Sequence, residues 1–83
     1  MTGEFARSLM GHDKGKLYII VDEDEKYCYL CDGRLRMLDN PKKKKLKHIQ
    51  QIHKVRPENF GTDDEIKRAI RLYEKQLSSD VEE

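Results

Sequence analysis

Apolar and polar residues alternate with a period of two over the first half of the chain and with a period near 3.6 at its end. In "EFARSLM", Phe5, Arg7 and Leu9 face one way and Ala6, Ser8 and Met10 the other, which predicts a strand. Leu17 to Val21 is apolar on both faces and rich in β-branched residues, which predicts a central strand. Between the two lie Gly11 and the turn Asp13-Lys14-Gly15. There the aspartate can bond back to the turn backbone and the glycine takes a positive φ at little cost. "DEDEK", residues 22–26, predicts a solvated loop and "YCYLC", residues 27–31, a third strand; Asp32-Gly33 is the strongest hairpin signal in the chain. In "RLRML", Arg34 and Arg36 alternate with Leu35 and Met37, predicting a strand with one wet, basic side that Pro41 ends or marks as an edge. Residues 46–55 fit two elements: a helix on Leu46, Ile49, Ile52 and His53, or a short strand with its lysines turned out.

The end of the chain is less ambiguous. "TDDEIKRAIRLYEKQL" has Thr62 followed three residues later by Glu65, a capping box, with Asp63 and Asp64 in the first turn. Ile66, Ala69, Ile70, Tyr73 and Leu77 form one apolar stripe, which predicts a helix docked on the sheet for stability. Several short strands with glycine turns predict a small, strongly bent sheet or barrel, a form that limits exposed edges. The expected organisation is a barrel over residues 1–56, a linker and packed helix over 57–77, and a disordered tail over 78–83.

Composition constrains the class. A chain of 83 residues with 40% charged and 36% apolar positions builds one small domain with a modest core. No apolar run approaches the roughly 20 residues of a membrane span, and "MTGEFARSLM" has no apolar stretch of a leader. The expectation is a cytoplasmic protein without membrane association, its Cys28 and Cys31 reduced. The net charge of +1 hides a segregation. Residues 1–40 carry −2, residues 41–56 carry +7 with no acid among them, and residues 57–83 carry −4. The cationic block centres on "NPKKKKLKH", residues 40–48. By composition such a block is a solvated tract; a footprint for an anionic partner is the sharper alternative.

The segment "GHDKGKLYIIV" resembles the KOW motif, a glycine-centred hairpin segment of several ribosomal proteins and of transcription elongation factors of the NusG type. Gly15 stands at the motif's fixed glycine, with Lys14 and Lys16 beside it. "DGRLRMLDNPKKKKLKHIQ" and "TDDEIKRAI" resemble the continuation and C-terminal helix of bacterial KOW-domain proteins related to large-subunit ribosomal proteins of archaea and eukaryotes. The likeness runs from about Gly3 to Leu77. The resemblance implies a mainly β fold, a small Src-homology-3-type barrel with a C-terminal helix. It also implies a strand at Leu46–Ile49 and RNA binding in translation, with ribosomal RNA as the partner and ribosomal proteins as possible neighbours. The "DEDE" loop and both cysteines depart from the pattern.

With that resemblance the lysines gain a candidate role. Lysines on a rigid barrel can track a phosphate backbone and displace condensed counterions, which supplies sequence-independent affinity. The expected RNA-binding residues are Lys14, Gly15 and Lys16 at the turn, Arg34 and Arg36, and Lys42, Lys43, Lys44, Lys45, Lys47 and His48. The arginines add paired hydrogen bonds or stacking, and His48 can stack on an unpaired base. The bland alternatives are a solubilised loop and plain turn geometry.

Two other patterns compete. Cys28, Cys31, His48 and His53 give C-x2-C-x16-H-x4-H, close to a zinc pattern. Residues three apart on a strand face opposite ways, however, so the two sulfurs would meet one metal only through a turn or bulge. A redox role for the cysteine pair is weaker, because Asp32 beside it raises a thiol pKa. No arrangement defensible from spacing points to catalysis, so neither an enzyme nor a cofactor is expected. A protein-interaction adaptor using the acidic helix and "DEDE" loop is the alternative to RNA binding, followed by a zinc-stabilised nucleic-acid-binding module.

Overall fold

The computed structural model describes residues 2–82, with side chains through Ser78. Five strands, β1 (Phe5–Ser8), β2 (Leu17–Glu23), β3 (Tyr27–Cys31), β4 (Lys42–Lys45) and β5 (Ile49–Ile52), form one antiparallel sheet in the order β4-β3-β2-β1-β5. Helix α1 spans Asp63–Glu82.

The connection between the two edge strands determines the shape. Only Leu46–His48, one turn of 3-10 helix, separates β4 from β5. The edges of a flat five-stranded sheet lie about 19 Å apart, four spacings of ~4.8 Å. Four Cα steps reach about 15 Å at most, and a 3-10 turn reaches much less. The sheet therefore curls until its ends approach, although β4 and β5 do not pair. Leu46 N donates to Lys26 O (2.9 Å) and Leu9 N to His48 O (2.8 Å), tying the linking turn to both sides of the barrel-like sheet.

Curling buries the concave face, where Ala6, Tyr18, Ile20, Cys28, Leu30 and Ile49 form one core. The convex face carries Phe5, Leu17, Ile19 and Cys31 beneath Ile66, Ala69, Ile70 and Tyr73 of α1. β2 supplies both cores, which is why Leu17 to Ile20 is uninterruptedly apolar. The helix stripe lies as its spacing predicted, with Phe5 and Tyr73 stacked at 4.7 Å. The capping box is present: Glu65 N donates to Thr62 Oγ1 (3.1 Å) and Thr62 N to Glu65 Oε1 (3.1 Å). No described helix is long and apolar enough to cross a membrane.

Four local expectations are corrected. Residues 34–38 are not a strand. Arg34 N and Arg36 N both donate to Asp32 Oδ1 (2.9 Å each), and Asp32 N and Gly33 N donate to Arg36 O. That side chain offers the backbone an alternative to a ladder, so the alternation of "RLRML" describes a looped segment. The lysine tract is the fourth strand instead. Within residues 46–55 the short strand is present and the helix is not, but the strand starts at Ile49 and runs to Ile52, after Leu46–His48 as a 3-10 turn, and not at Leu46 as the resemblance implied. At Asp13-Lys14-Gly15 the aspartate side chain turns away from the turn backbone, as described below. Beyond Leu77, α1 continues to Glu82.

Gly33 has a function that its hairpin signal does not convey. It sits at φ 76° against the start of α1, where an added Cβ would collide with the Asp63 carbonyl and lie 2.8 Å from Lys67 N. Asp63 Oδ1 in turn accepts from Leu38 N (2.8 Å), so the loop after β3 is fastened to the helix.

Candidate nucleic-acid interface

A strand of four lysines must send alternate side chains to opposite faces. Lys42 and Lys44, paired with Leu30 and Cys28, turn toward the concave side, whereas Lys43 and Lys45, paired with Tyr29 and Tyr27, turn outward. Burial follows the same alternation, the first pair half-buried and the second exposed.

The inward pair closes on one carboxylate. Lys44 Nζ lies 2.7 Å from Asp13 Oδ1 and Lys42 Nζ 2.9 Å from Asp13 Oδ2. Ser8 Oγ donates to Oδ1 (2.8 Å) and Tyr18 OH to Oδ2 (2.7 Å), while Lys44 Nζ also donates to Met10 O (2.7 Å). Burial by itself pushes the Asp13 carboxyl up, but Lys44, Tyr18, Lys42 and Ser8 together hold it well below the usual carboxylate range. Burial, and then the bond to Asp13, pushes the Tyr18 hydroxyl well above its ordinary value. Lys42 and Lys44 thus fasten the edge strand to the first turn; they are not free cations.

The outward pair stands in a different setting. Lys45 lies directly across from Tyr27 and Lys43 across from Tyr29, with Lys43 Nζ 4.3 Å from the centre of the Tyr27 ring. Tyr27, His48 and all four lysines of β4 border an open groove of about 600 Å³ that reaches Met10 and Gly11. Lys47 is exposed and borders an adjoining groove with Lys45 and Tyr27. Among the described residues none of Lys43, Lys45 and Lys47 carries an ion pair.

The remaining expected contacts divide between the turn and the helix. Lys14 and Gly15 are exposed at the turn tip. Gly15 has φ 90°, and a Cβ there would meet nothing within 4 Å, so this position needs glycine for its backbone angle and not for close packing. Its carbonyl accepts from Arg7 Nη1 (2.7 Å). Lys16 is paired with Asp32 at 2.7 Å and sits 5.3 Å from the centre of the Tyr18 ring. Burial opposes ionisation of Asp32, yet Lys16 and the Arg36 and Arg34 amides hold its carboxyl below the ordinary range. Arg34 is exposed and shares a groove with Lys16, Lys67 and Arg71 rather than with the lysine strand. Arg36 is half-buried. Arg34 and the lysine strand therefore belong to two basic patches, joined by the contacts Lys42–Asp13–Tyr18–Lys16–Asp32.

The zinc set is not brought together. Cys28 packs in the concave core and Cys31 in the convex core, on opposite faces of β3. His48 borders the outer groove, and exposed His53 is held by Glu4 Oε2 at 2.7 Å. Among the described residues no three His, Cys, Asp or Glu side chains are placed to hold a metal. Both cysteines are free thiols and fully buried. Burial pushes each up to about 11, helped by Glu23 at Cys28 and by Asp63 and Asp32 at Cys31. Such thiols are protonated and poorly nucleophilic at neutral pH.

Two features escaped the sequence reading. Asp13 looked like a turn residue and is the centre of a polar cluster. Tyr27 and Tyr29 looked like ordinary strand residues and stand opposite the two outward lysines. Tyr-x-Tyr and Lys-x-Lys are visible signals, but their meaning requires the β3–β4 register. A plainer role for lysines on this edge is also physical: charged edges discourage strand-to-strand association. No protein-family model matches the chain, and no curated protein matches it.

Proposed function

We propose that this protein is a non-catalytic RNA-binding module, a KOW-type barrel of the Src-homology-3 class that works in the cytoplasm in association with the ribosome. One observation carries the RNA assignment. Lys43 and Lys45 project from a strand that Lys42 and Lys44 hold in place, Lys47 follows on the 3-10 turn, and His48 adjoins Lys43 and Lys45 in an open groove. Fixed cations beside planar side chains suit a polyanion with exposed bases better than a small-molecule substrate. The glycine turn with its flanking lysines, the strand order and the docked helix accord with the KOW resemblance.

The test is affinity for a structured ribosomal RNA fragment measured across a salt series. Three lysine–phosphate contacts give a slope of log K against log salt of about −2 to −3. Replacing Lys43, Lys45 and Lys47 by Gln flattens that slope and weakens all RNAs alike; an unchanged slope removes these residues from the interface. Sedimentation with large ribosomal subunits that is lost at high salt tests the ribosomal part.

A second reading has its own observation. Leu35 is 84% exposed, and Met37 and Leu38 beside it are also exposed. This apolar loop would suit a protein neighbour, as an adaptor requires. Association that survives nuclease would favour that reading over RNA binding.

A further inference from the structure

We infer that Tyr27 and Tyr29 form a stacking platform for unpaired bases, so that the preferred ligand is single-stranded or looped RNA and not continuous duplex. This rests on the RNA-binding reading above and specifies which RNA the interface takes.

Tyr27 and Tyr29 occupy alternate positions of β3 and lie on the same side of the sheet as Cys31. Among the described residues, the apolar side chains of helix α1 share a core with Cys31, and neither tyrosine belongs to that core. Both rings are partly exposed, while Tyr18 and Tyr73 are buried. Two strand positions place the rings about 7 Å apart, so each can take a separate base. The strand holds them rigidly between β2 and β4, and Asp24 Oδ1 fixes the start of β3 by accepting from Lys26 N (3.0 Å) and Tyr27 N (2.9 Å). Little order remains to be gained on binding.

The charges on either side of the tyrosines differ in sign. Lys45 and Lys43 stand across from them on β4, and Asp22 stands across from Tyr29 on β2. Asp24, at the acidic loop, lies close enough to feel the field of Lys43. A nucleic-acid strand lying here puts its phosphates along the β4 edge, away from the carboxylates, and turns its bases inward across β3. Bases in a duplex are stacked on one another and cannot offer a face to either ring, whereas unpaired bases can. The Lys43 ammonium over the Tyr27 ring moves to a phosphate when a base takes its place.

Two RNAs separate the outcomes: a 12-mer oligouridine and a blunt-ended, fully paired two-strand duplex of matching charge. The chain has no tryptophan, so its intrinsic emission is that of tyrosine, and stacking on Tyr27 and Tyr29 quenches it. Expected is quenching by the single strand and not by the duplex. Each of Tyr27→Leu and Tyr29→Leu then weakens the single strand about tenfold, whereas Phe at either position retains affinity to within about twofold. Leu keeps apolar bulk on the strand, and the wild-type quenching needs no variant. Equal losses on both RNAs, or no quenching with binding intact, overturn the platform while leaving the lysine contacts standing. Failure of the wild type to bind either RNA at low salt overturns both readings.

Discussion

The two faces of β4 carry the same residue and do opposite work. On the concave side Lys42 and Lys44 are drawn onto Asp13 with Ser8 and Tyr18. On the convex side Lys43 and Lys45 stand in solvent opposite Tyr29 and Tyr27. A lysine tract counted as one block of charge thus contains a pair held on a carboxylate and a pair left in solvent, separated by the half-period of the pleat. Net charge measures neither; the partner of each ammonium does.

That contrast is most exposed to failure at Asp13. Replacing Asp13 by Asn leaves two lysines around a neutral amide, and the loss of a nearly buried charge centre costs about 3 kcal/mol, read as a lower midpoint in urea unfolding. Acid has a related effect. The carboxyl is held low in the folded protein, so its contribution is complete above the unfolded value of about 3.9 and is lost as pH falls below it toward the folded value. The stability gap between wild type and Asp13→Asn should therefore narrow below about pH 4; a gap constant down to pH 2 would mean that the cluster does not hold the Asp13 carboxyl below its unfolded value.

Lys44→Gln follows at about 2 kcal/mol, since one substitution removes bonds to both Asp13 and Met10 O. The same change at Lys43 or Lys45 should shift stability by less than about 0.5 kcal/mol, as is usual for exposed charges. These outward lysines should instead flatten the salt dependence of RNA binding by about 0.7 to 0.9 in slope for each residue changed. If inward and outward variants lost stability equally, the division of the strand into two roles would be wrong. The smallest effect concerns Cys28 and Cys31. With both thiols buried and pushed up to about 11, a thiol reagent should label them only as fast as the protein opens, and chelators should not change the unfolding midpoint.

Parts of this molecule were legible from residue order because they depend on neighbours close in sequence. The capping box of Thr62 and Glu65, the apolar stripe from Ile66 to Leu77 and the doubly apolar β2 needed only local periodicity. "RLRML" misled for a physical reason. Its alternation is real, yet Asp32 captures the amides of Arg34 and Arg36, and a side chain that satisfies the backbone removes the need for a ladder. The "KKKK" run shows no alternation of residue type, so nothing local marked it as a strand. Its conformation comes from pairing with β3, which places Cys28 Sγ against Lys44 O (3.4 Å).

The amino-acid sequence by itself therefore determined a mainly β chain, its central strand, its terminal helix and a concentration of positive charge. Tertiary structure decided which of those charges are free. Asp13 and Lys44 are 31 residues apart and meet at 2.7 Å; Tyr27 and Lys45 become neighbours only through strand register. Periodicity reports the face a residue takes relative to its own element. Which groups wait on that face depends on how the sheet curls, and the curl is imposed by the single 3-10 turn between its two edges.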